Sequence, residues 1–264
     1  MLGLIAGSGA LPGIVAARLS VPPIVCALDG FAPDSLPVDV GFRLETLGTL
    51  LAVLRENGVT DLCLAGAIGR PAVDPSAIDA ATLPLVPIIQ QAMAVGDDGA
   101  LRAAIQIFET AGFVVRAAHE IVPDLLPEPG CASVAQPSRG DRADATRAAQ
   151  VVAAMSGADV GQACVVLNRQ ALALEGKFGT DWMLLSLTTR PDSGGGILFK
   201  APKLGQDRRV DLPAFGADTI TAACAAGLSG VVIESGGVMV LDLPATLAEC
   251  DRLGLFLWLR RSAD

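Results

Sequence analysis

The sequence predicts an α/β protein of two domains, the first with a parallel sheet and the second with a mixed sheet. In the first half, short apolar runs alternate with amphipathic helical stretches, which is the pattern of strands joined by helical crossovers. In the second half the apolar runs are shorter and closer together. Between the halves, residues 128–141 are rich in Pro, Gly, Ser and charge. We therefore predict domains at 1–130 and 142–264, joined by a linker at 131–141.

The first half has the element order of a Rossmann-like domain. The predicted strands are 2–6, 23–27, 61–67 and 113–117, and the predicted helices are 10–19, 47–57, 88–95 and 100–111. Ligands of parallel sheets bind beyond the carboxyl ends of the strands. That rule brings two loops to one rim, the turn Gly7-Ser8-Gly9 and the loop that contains Arg70.

Gly7, Ser8 and Gly9 lie between the first strand and the first helix, where backbone N–H groups can bind a phosphate. The glycine spacing is GxGxxxG and not the GxGxxG fingerprint, and no clear acid ends the second strand, so an NAD-dependent dehydrogenase is disfavoured. A tight turn without a ligand stays open as the alternative. Arg70 is either a phosphate contact or a solvated loop arginine.

Two further polar positions follow in the first half. Asp97 and Asp98 precede a predicted helix, where Asp98 is suited to cap the helix and the pair is suited to bind a metal ion or a ribose. His119, the sole histidine, lacks the partners of a metal site or a catalytic triad, and we expect it to be packed or at the surface.

The second half is predicted to combine helices with short strands. The helices are 144–156, 219–227 and 243–253, and the strands are 163–167, 171–174, 197–199, 231–233, 238–241 and 255–259.

Residues 200–216 concentrate charge in an otherwise apolar chain. The segment offers cations that bind phosphate and carboxylates that bind metal or activate water: Lys200, Lys203, Arg208, Arg209, Asp207 and Asp211. If the segment is extended, Asp207, Arg209 and Asp211 share one face. We expect Asp211 to be the essential metal ligand or water-orienting base, assisted by Asp207. A solvated charged loop is the alternative.

Composition excludes several classes of protein. The net charge of −9 and the pI near 4.6 disfavour nucleic acid as a partner. The six cysteines have no metal-type spacing and are expected to be free thiols in a reducing compartment. The N-terminal residues lack the basic region of a signal peptide, and no apolar run reaches the ~18 residues of a membrane span.

A series of short motifs resembles one known family. In chain order they are GSGALPG, GDDGALR, AHEIVPDLLPEPG, GQACVV, GTD, KAPKLGQDRRVDLPAFGADTI and AGLSGVVIESG. Their number and order resemble the LpxI-type UDP-2,3-diacylglucosamine pyrophosphatases of lipid A biosynthesis. One departure is EGKFG at 175–179, where the family pattern has a second acid, which leaves Glu175 alone.

The resemblance implies an N-terminal Rossmann-like domain and a C-terminal domain of its own fold, with substrate held between them. It implies hydrolysis of UDP-2,3-diacylglucosamine to UMP and 2,3-diacylglucosamine 1-phosphate (lipid X), with water attacking the sugar-side phosphorus and Mg²⁺ or another divalent cation such as Mn²⁺ assisting. Metal ligation falls to Asp207 and Asp211, and phosphate binding to Lys200, Lys203 and Arg209. The expected substrate-binding positions are Gly7, Ser8, Gly9, Leu11, Pro12, Arg70, Asp97, Asp98, Thr180, Asp181 and Arg208.

The implied location is the cytoplasm, with peripheral contact at the inner face of the inner membrane, and we expect a homodimer. A non-catalytic nucleotide- or lipid-binding protein is the competing function, because binding would need the cations but not the two aspartates.

Overall fold

The computed structural model describes residues 1–69, 71–93 and 97–262. Contacts divide the chain into two compact units. The N-terminal unit comprises Met1–Val122 together with the short segment Asp207–Asp211, and the C-terminal unit comprises Pro123–Gln206 and the chain from Leu212 onward. The linker at 131–141 and the domain bounds around it stay predictions.

The N-terminal unit is built on a parallel sheet of strand order β3-β2-β1-β4-β5, so the predicted parallel sheet is confirmed. The strands are β1 (Leu2–Ala6), β2 (Ile24–Leu28), β3 (Val40–Phe42), β4 (Asp61–Ala65) and β5 (Val114–Arg116). The helices are α1 (Leu11–Arg18), α2 (Leu47–Glu56), α3 (Val86–Met93), α4 (Asp97–Thr110) and α5 (Ala118–Ile121), with 3₁₀ helices at Leu44–Thr46, Pro75–Ala77 and Leu83–Leu85.

Helix α2 shows why these residues fold as they do. Its buried leucines recur at helical spacing, at positions 47, 50, 51 and 54, and pack into the core of the unit. The helix ends where Gly58 takes a φ of +70°, a conformation that glycine adopts without steric cost.

The C-terminal unit holds a mixed sheet of order β6-β13-β11-β9-β7-β8, which confirms the predicted mixed sheet. Its strands are β6 (Gly130–Cys131), β7 (Ala163–Leu167), β8 (Gln170–Leu174), β9 (Ile197–Lys200), β11 (Gly230–Glu234) and β13 (Phe256–Arg260), and β10 (Ala214–Phe215) pairs separately with β12 (Met239–Val240). Its helices are α6 (Arg139–Gly157), α7 (Gly179–Ser186), α8 (Ala217–Ala225) and α9 (Leu243–Leu253), with a 3₁₀ helix at Pro123–Leu125.

Both faces of this sheet are buried. On β9, Leu198 belongs to one apolar core and Phe199 to the other, as the alternation of side chains along a strand requires. The central strands β9, β11 and β13 are parallel, so Lys200, Glu234 and Arg260 end them at one edge of the sheet.

Several element bounds differ from the prediction. Helix α6 begins at Arg139 because Ser138 and Asp141 form a reciprocal capping box, in a stretch whose composition predicted a linker. Helix α4 begins at Asp97, so Asp98 lies inside the helix and is not its N-cap. Helix α7 was not predicted. Among the described residues, no helix combines the length and the apolar character needed to cross a membrane.

Candidate active site

The glycine turn after β1 packs on the loop after β4. Ser8 and Ala67 exchange backbone hydrogen bonds of 3.0 and 2.9 Å, and Gly7 donates to the carbonyl of Ala65 at 2.8 Å. A Cβ on Gly7 would lie 2.5 Å from the carbonyl oxygen of Ala67, so only glycine fits there. Gly9 has a φ of +95° and donates its N–H to Asp34 at 2.8 Å.

The backbone N–H groups of Gly7, Ser8 and Gly9 thus all have protein partners. This arrangement is that of a tight strand-to-helix turn, the alternative left open by the glycine spacing. Leu11 and Pro12 follow at the start of α1, where Pro12 is buried and Leu11 is half-buried. The substrate-binding role of all five positions stays a prediction.

Three of the predicted positions cannot be placed in full. Arg70 lies outside the described residues. The backbones of Asp97 and Asp98 form the start of α4, but their side chains also lie outside what the structure describes.

Residues 207–211 form a turn and not the extended segment in which Asp207, Arg209 and Asp211 would share one face. The carbonyl oxygen of Asp207 accepts hydrogen bonds from the N–H groups of Val210 and Asp211, at 3.2 and 3.1 Å. Because the chain folds back on itself, the alternation of faces expected for Asp207, Arg209 and Asp211 does not apply. Val210 packs against the apolar core of the N-terminal unit and anchors the turn there.

Arg209 holds the turn together. Its Nε and Nη2 donate to the two carboxylate oxygens of Asp207, at 2.9 and 2.7 Å, and its Nη1 donates to Glu109 of α4 at 2.5 Å. This pairing lowers the pKa of Asp207 below its usual value, and the hydrogen bonds that Arg209 donates to Asp207 and then to Glu109 raise the pKa of Arg209. Asp207 is therefore an ionised carboxylate whose two oxygens already face a cation.

Arg208 and Asp211 belong to the same turn as this ion pair. Burial and then the charge of Arg208 lower the pKa of His119, so the lone histidine is a neutral imidazole near neutral pH. Asp211 is half-buried, and it is the last residue of the turn.

A second polar group lies in the C-terminal unit, where Lys200 ends β9. Its ammonium donates to the hydroxyl of Thr180 at 2.8 Å, and that hydroxyl donates to Oε1 of Glu175 at 2.5 Å. Lys200, Thr180 and Glu175 are 7%, 8% and 6% exposed. Burial lowers the pKa of Lys200, while the charges of Glu175 and then Asp181 act in the opposite direction.

The loop after β9 ties Lys203 to the end of α6. Lys203 Nζ lies 2.6 Å from Oδ1 of Asp159, and the N–H of Leu204 donates to Ser156 Oγ at 2.6 Å. Lys203 is partly exposed and Asp159 is exposed, so the ion pair between them is weak.

Within each unit, then, the structure brings some predicted residues together. In the N-terminal unit Asp207, Arg208, Arg209 and Asp211 share one turn, and in the C-terminal unit Lys200 and Thr180 are in contact.

Matches to family models decide the relationship of the chain. A model described as the LpxI N-terminal domain matches residues 1–125, and one described as the LpxI C-terminal domain matches residues 128–258. The chain belongs to the LpxI family. A relative from Caulobacter vibrioides, named UDP-2,3-diacylglucosamine pyrophosphatase LpxI, is 36% identical over 270 aligned positions, which cover 97% of this chain and 96% of that protein. The predicted family membership is confirmed.

Sequence reasoning missed two acids of this LpxI chain. Glu109 lies in α4, 100 residues before the arginine it binds, and no local pattern marks it. Glu175 was noted only as a solitary acid in a departure from the LpxI motif. The sequence did contain a signal for Glu175, because the GQACVV motif begins with Gly161. Only a glycine at position 161 lets the backbone of Glu175 pack against it.

Proposed function

We propose that this protein hydrolyses the pyrophosphate of UDP-2,3-diacylglucosamine to lipid X and UMP, as a step of lipid A biosynthesis. The observation that carries the proposal is the 36% identity, over 97% of the chain, to a relative named as the pyrophosphatase for that compound. The family models for both LpxI domains support the same assignment.

The reaction requires water to attack one phosphorus while negative charge develops on the phosphate oxygens. We assign Asp211 the essential role, as a metal ligand or as the base that orients water. Asp207 assists by holding Arg209 through both of its carboxylate oxygens. We assign the second hydrogen on Nη1 and on Nη2 of Arg209 to a phosphate oxygen of the substrate, since guanidinium carries five N–H donors and three of them are used within the protein.

The described residues contain no group of three or more His, Cys, Asp or Glu placed to hold a metal ion. Mg²⁺ is commonly held by one or two carboxylates together with substrate phosphates and water, and Asp207 and Asp211 would be such a sparse donor set. Asp211 fits as the protein ligand of Mg²⁺ or Mn²⁺. Asp207 fits as a second ligand only when Arg209 turns away from it. A bound ion would neutralise charge on the pyrophosphate.

The remaining cations are assigned to the substrate phosphates. Lys200 has a buried ammonium, and Lys203 is held by a weak ion pair. We assign Arg208 to the substrate phosphates as well. We assign the turn at Gly7–Gly9 to binding of the nucleotide by steric fit. We also propose that the protein is cytoplasmic and forms a homodimer. It would contact the inner face of the inner membrane peripherally to obtain its lipid substrate.

Product analysis tests the proposal. The purified protein is incubated with UDP-2,3-diacylglucosamine in the presence of Mg²⁺, or of EDTA, and the products are identified by mass spectrometry. Equal amounts of UMP and lipid X in the Mg²⁺ sample alone are expected. Intact substrate in both samples would contradict the hydrolase, and equal turnover in both would contradict metal assistance.

A further inference from the structure

Glu175 is a buried acid to which the proposed mechanism gives no role. It follows β8, and its Oε2 accepts the backbone N–H of Gln162 at 2.7 Å. Its own backbone N–H donates to Ala163 at 2.9 Å. A Cβ on Gly161 would lie 2.3 Å from the carbonyl oxygen of Glu175, so the absence of a side chain there permits the approach. Glu175 is therefore fixed from several directions.

The other carboxylate oxygen of Glu175 sets the direction of a hydrogen-bond chain. A carboxylate can only accept and an ammonium can only donate, so the hydroxyl proton of Thr180 must point to Glu175 while its oxygen accepts from Lys200. In this arrangement Thr180 has no proton left to donate to a phosphate. The Thr180 hydroxyl thus links the Lys200 ammonium to the Glu175 carboxylate by hydrogen bonds, and we call this link the relay.

Lys200 keeps hydrogen-bonding capacity for a ligand. An ammonium has three N–H donors, and Thr180 accepts one of them. Glu175 lies 3.9 Å from Nζ, beyond hydrogen-bond distance but close enough to compensate the charge. Across the portion of the chain that the structure describes, the carboxylates whose charge bears on Lys200 are Glu175 and Asp181.

We infer that Glu175 is a positioning residue, which holds the Lys200 ammonium through Thr180 and supplies the negative charge that keeps this buried amine able to bind a phosphate oxygen of the substrate. The inference rests on the proposed function. The inference goes beyond the proposed function because it assigns Glu175 a role in substrate affinity and assigns Thr180 the link between Glu175 and Lys200. A buried amine without a nearby anion loses its proton, and a neutral amine binds phosphate poorly.

The test is the pH dependence of kcat/KM for UDP-2,3-diacylglucosamine. In wild type, activity falls at high pH as Lys200 loses its proton. We call this fall of kcat/KM at high pH the alkaline limb. In Glu175→Gln the midpoint of the alkaline limb moves to lower pH by about one unit or more, which is the size expected when an opposite charge at this distance is removed. Asp181→Asn moves the limb less, because Asp181 is exposed to solvent. Glu128→Gln, at an exposed acid of the same unit, leaves it in place.

A second pair of variants keeps the inference testable if Glu175→Gln does not fold. Thr180→Val removes the relay at nearly constant volume and is expected to raise KM at least tenfold, while Thr180→Ser retains the hydroxyl and stays within about threefold of wild type. An alkaline limb at the same pH in Glu175→Gln and wild type, or equal KM values for Thr180→Val and Thr180→Ser, would overturn the inference. A wild-type protein that releases no UMP would instead refute the proposed function.

Discussion

Arg209 binds both carboxylate oxygens of Asp207, two residues before it, and reaches Glu109 of α4 with its remaining terminal nitrogen. The ion pair closes the turn at 207–211, and the bond to Glu109 attaches that turn to the N-terminal unit. The two carboxylate oxygens of Asp207 thereby face an internal cation, and the N–H of Asp211 donates to the carbonyl oxygen of Asp207 in the same turn. Because Asp207 is engaged by Arg209, we expect Asp207 to assist and Asp211 to be essential.

Asp211→Asn should abolish turnover while leaving substrate binding nearly intact. We expect kcat to fall at least a hundredfold, because loss of one charged group that stabilises a developing transition state costs about that much. Isothermal titration with substrate in EDTA measures binding separately. Asp218→Asn, at an exposed aspartate of α8, is the matched control and should behave as wild type. Unchanged turnover in Asp211→Asn would contradict the essential role of Asp211 and leave catalysis to other residues.

The Asp207–Arg209 pair should stabilise the fold in a pH-dependent way. Pairing lowers the folded-state pKa of Asp207 below its ordinary value of 3.8, so the stabilisation from the pair is complete above pH ~4 and is lost as pH falls through the folded-state pKa. Since the pair is partly exposed, we expect Arg209→Gln to lower the free energy of unfolding by about 1 kcal/mol at pH 7.

Urea unfolding of wild type and Arg209→Gln at pH 7 and pH 3 measures this effect. The difference between the two proteins should shrink at pH 3, because the carboxyl of Asp207 is by then mostly protonated in the unfolded state, whose ordinary pKa is 3.8. A difference that stays constant or grows on acidification would show that the pair does not stabilise the turn through the charge of Asp207.

The glycine turn after β1 should be sensitive to a single methyl group. Gly7→Ala would place a Cβ 2.5 Å from the carbonyl oxygen of Ala67, and since backbone must move, we expect a loss of about 1–3 kcal/mol in unfolding free energy. Gly157→Ala at the end of α6 is the control, because a Cβ there meets nothing within 4 Å. Thermal unfolding should show a lower Tm for Gly7→Ala only, and equal Tm values would contradict the packing of the turn.

The parts of the fold that local patterns specify were predictable. The parallel sheet of the N-terminal unit follows from apolar runs separated by helices, and β1 and α2 were located to within a residue or so. Helix α7 was missed because its apolar residues face both ways: Met183 and Leu184 are buried, while Trp182 and Leu185 are exposed, so it has no amphipathic period to detect.

The candidate site was predictable in composition but not in geometry. Charge density in an apolar chain singled out residues 200–216, and Lys200 and Asp207 do make specific contacts there. Their partners Glu175 and Glu109 depend on tertiary contacts, which no local spacing encodes. The hydrogen bond from Arg209 to Glu109 is likewise a tertiary contact, and it is made from a turn, whereas the sequence argument assumed an extended segment.

The position of oxygen incorporated from water tests the central proposal most directly. Hydrolysis of UDP-2,3-diacylglucosamine in ¹⁸O-labelled water, with Mg²⁺ present, is followed by mass spectrometry of both products. Attack on the sugar-side phosphorus breaks its bond to the bridging oxygen, which leaves with UMP, so one ¹⁸O atom should appear in lipid X and none in UMP. Label in UMP would contradict the proposed direction of attack, and the absence of both products would contradict the enzyme itself.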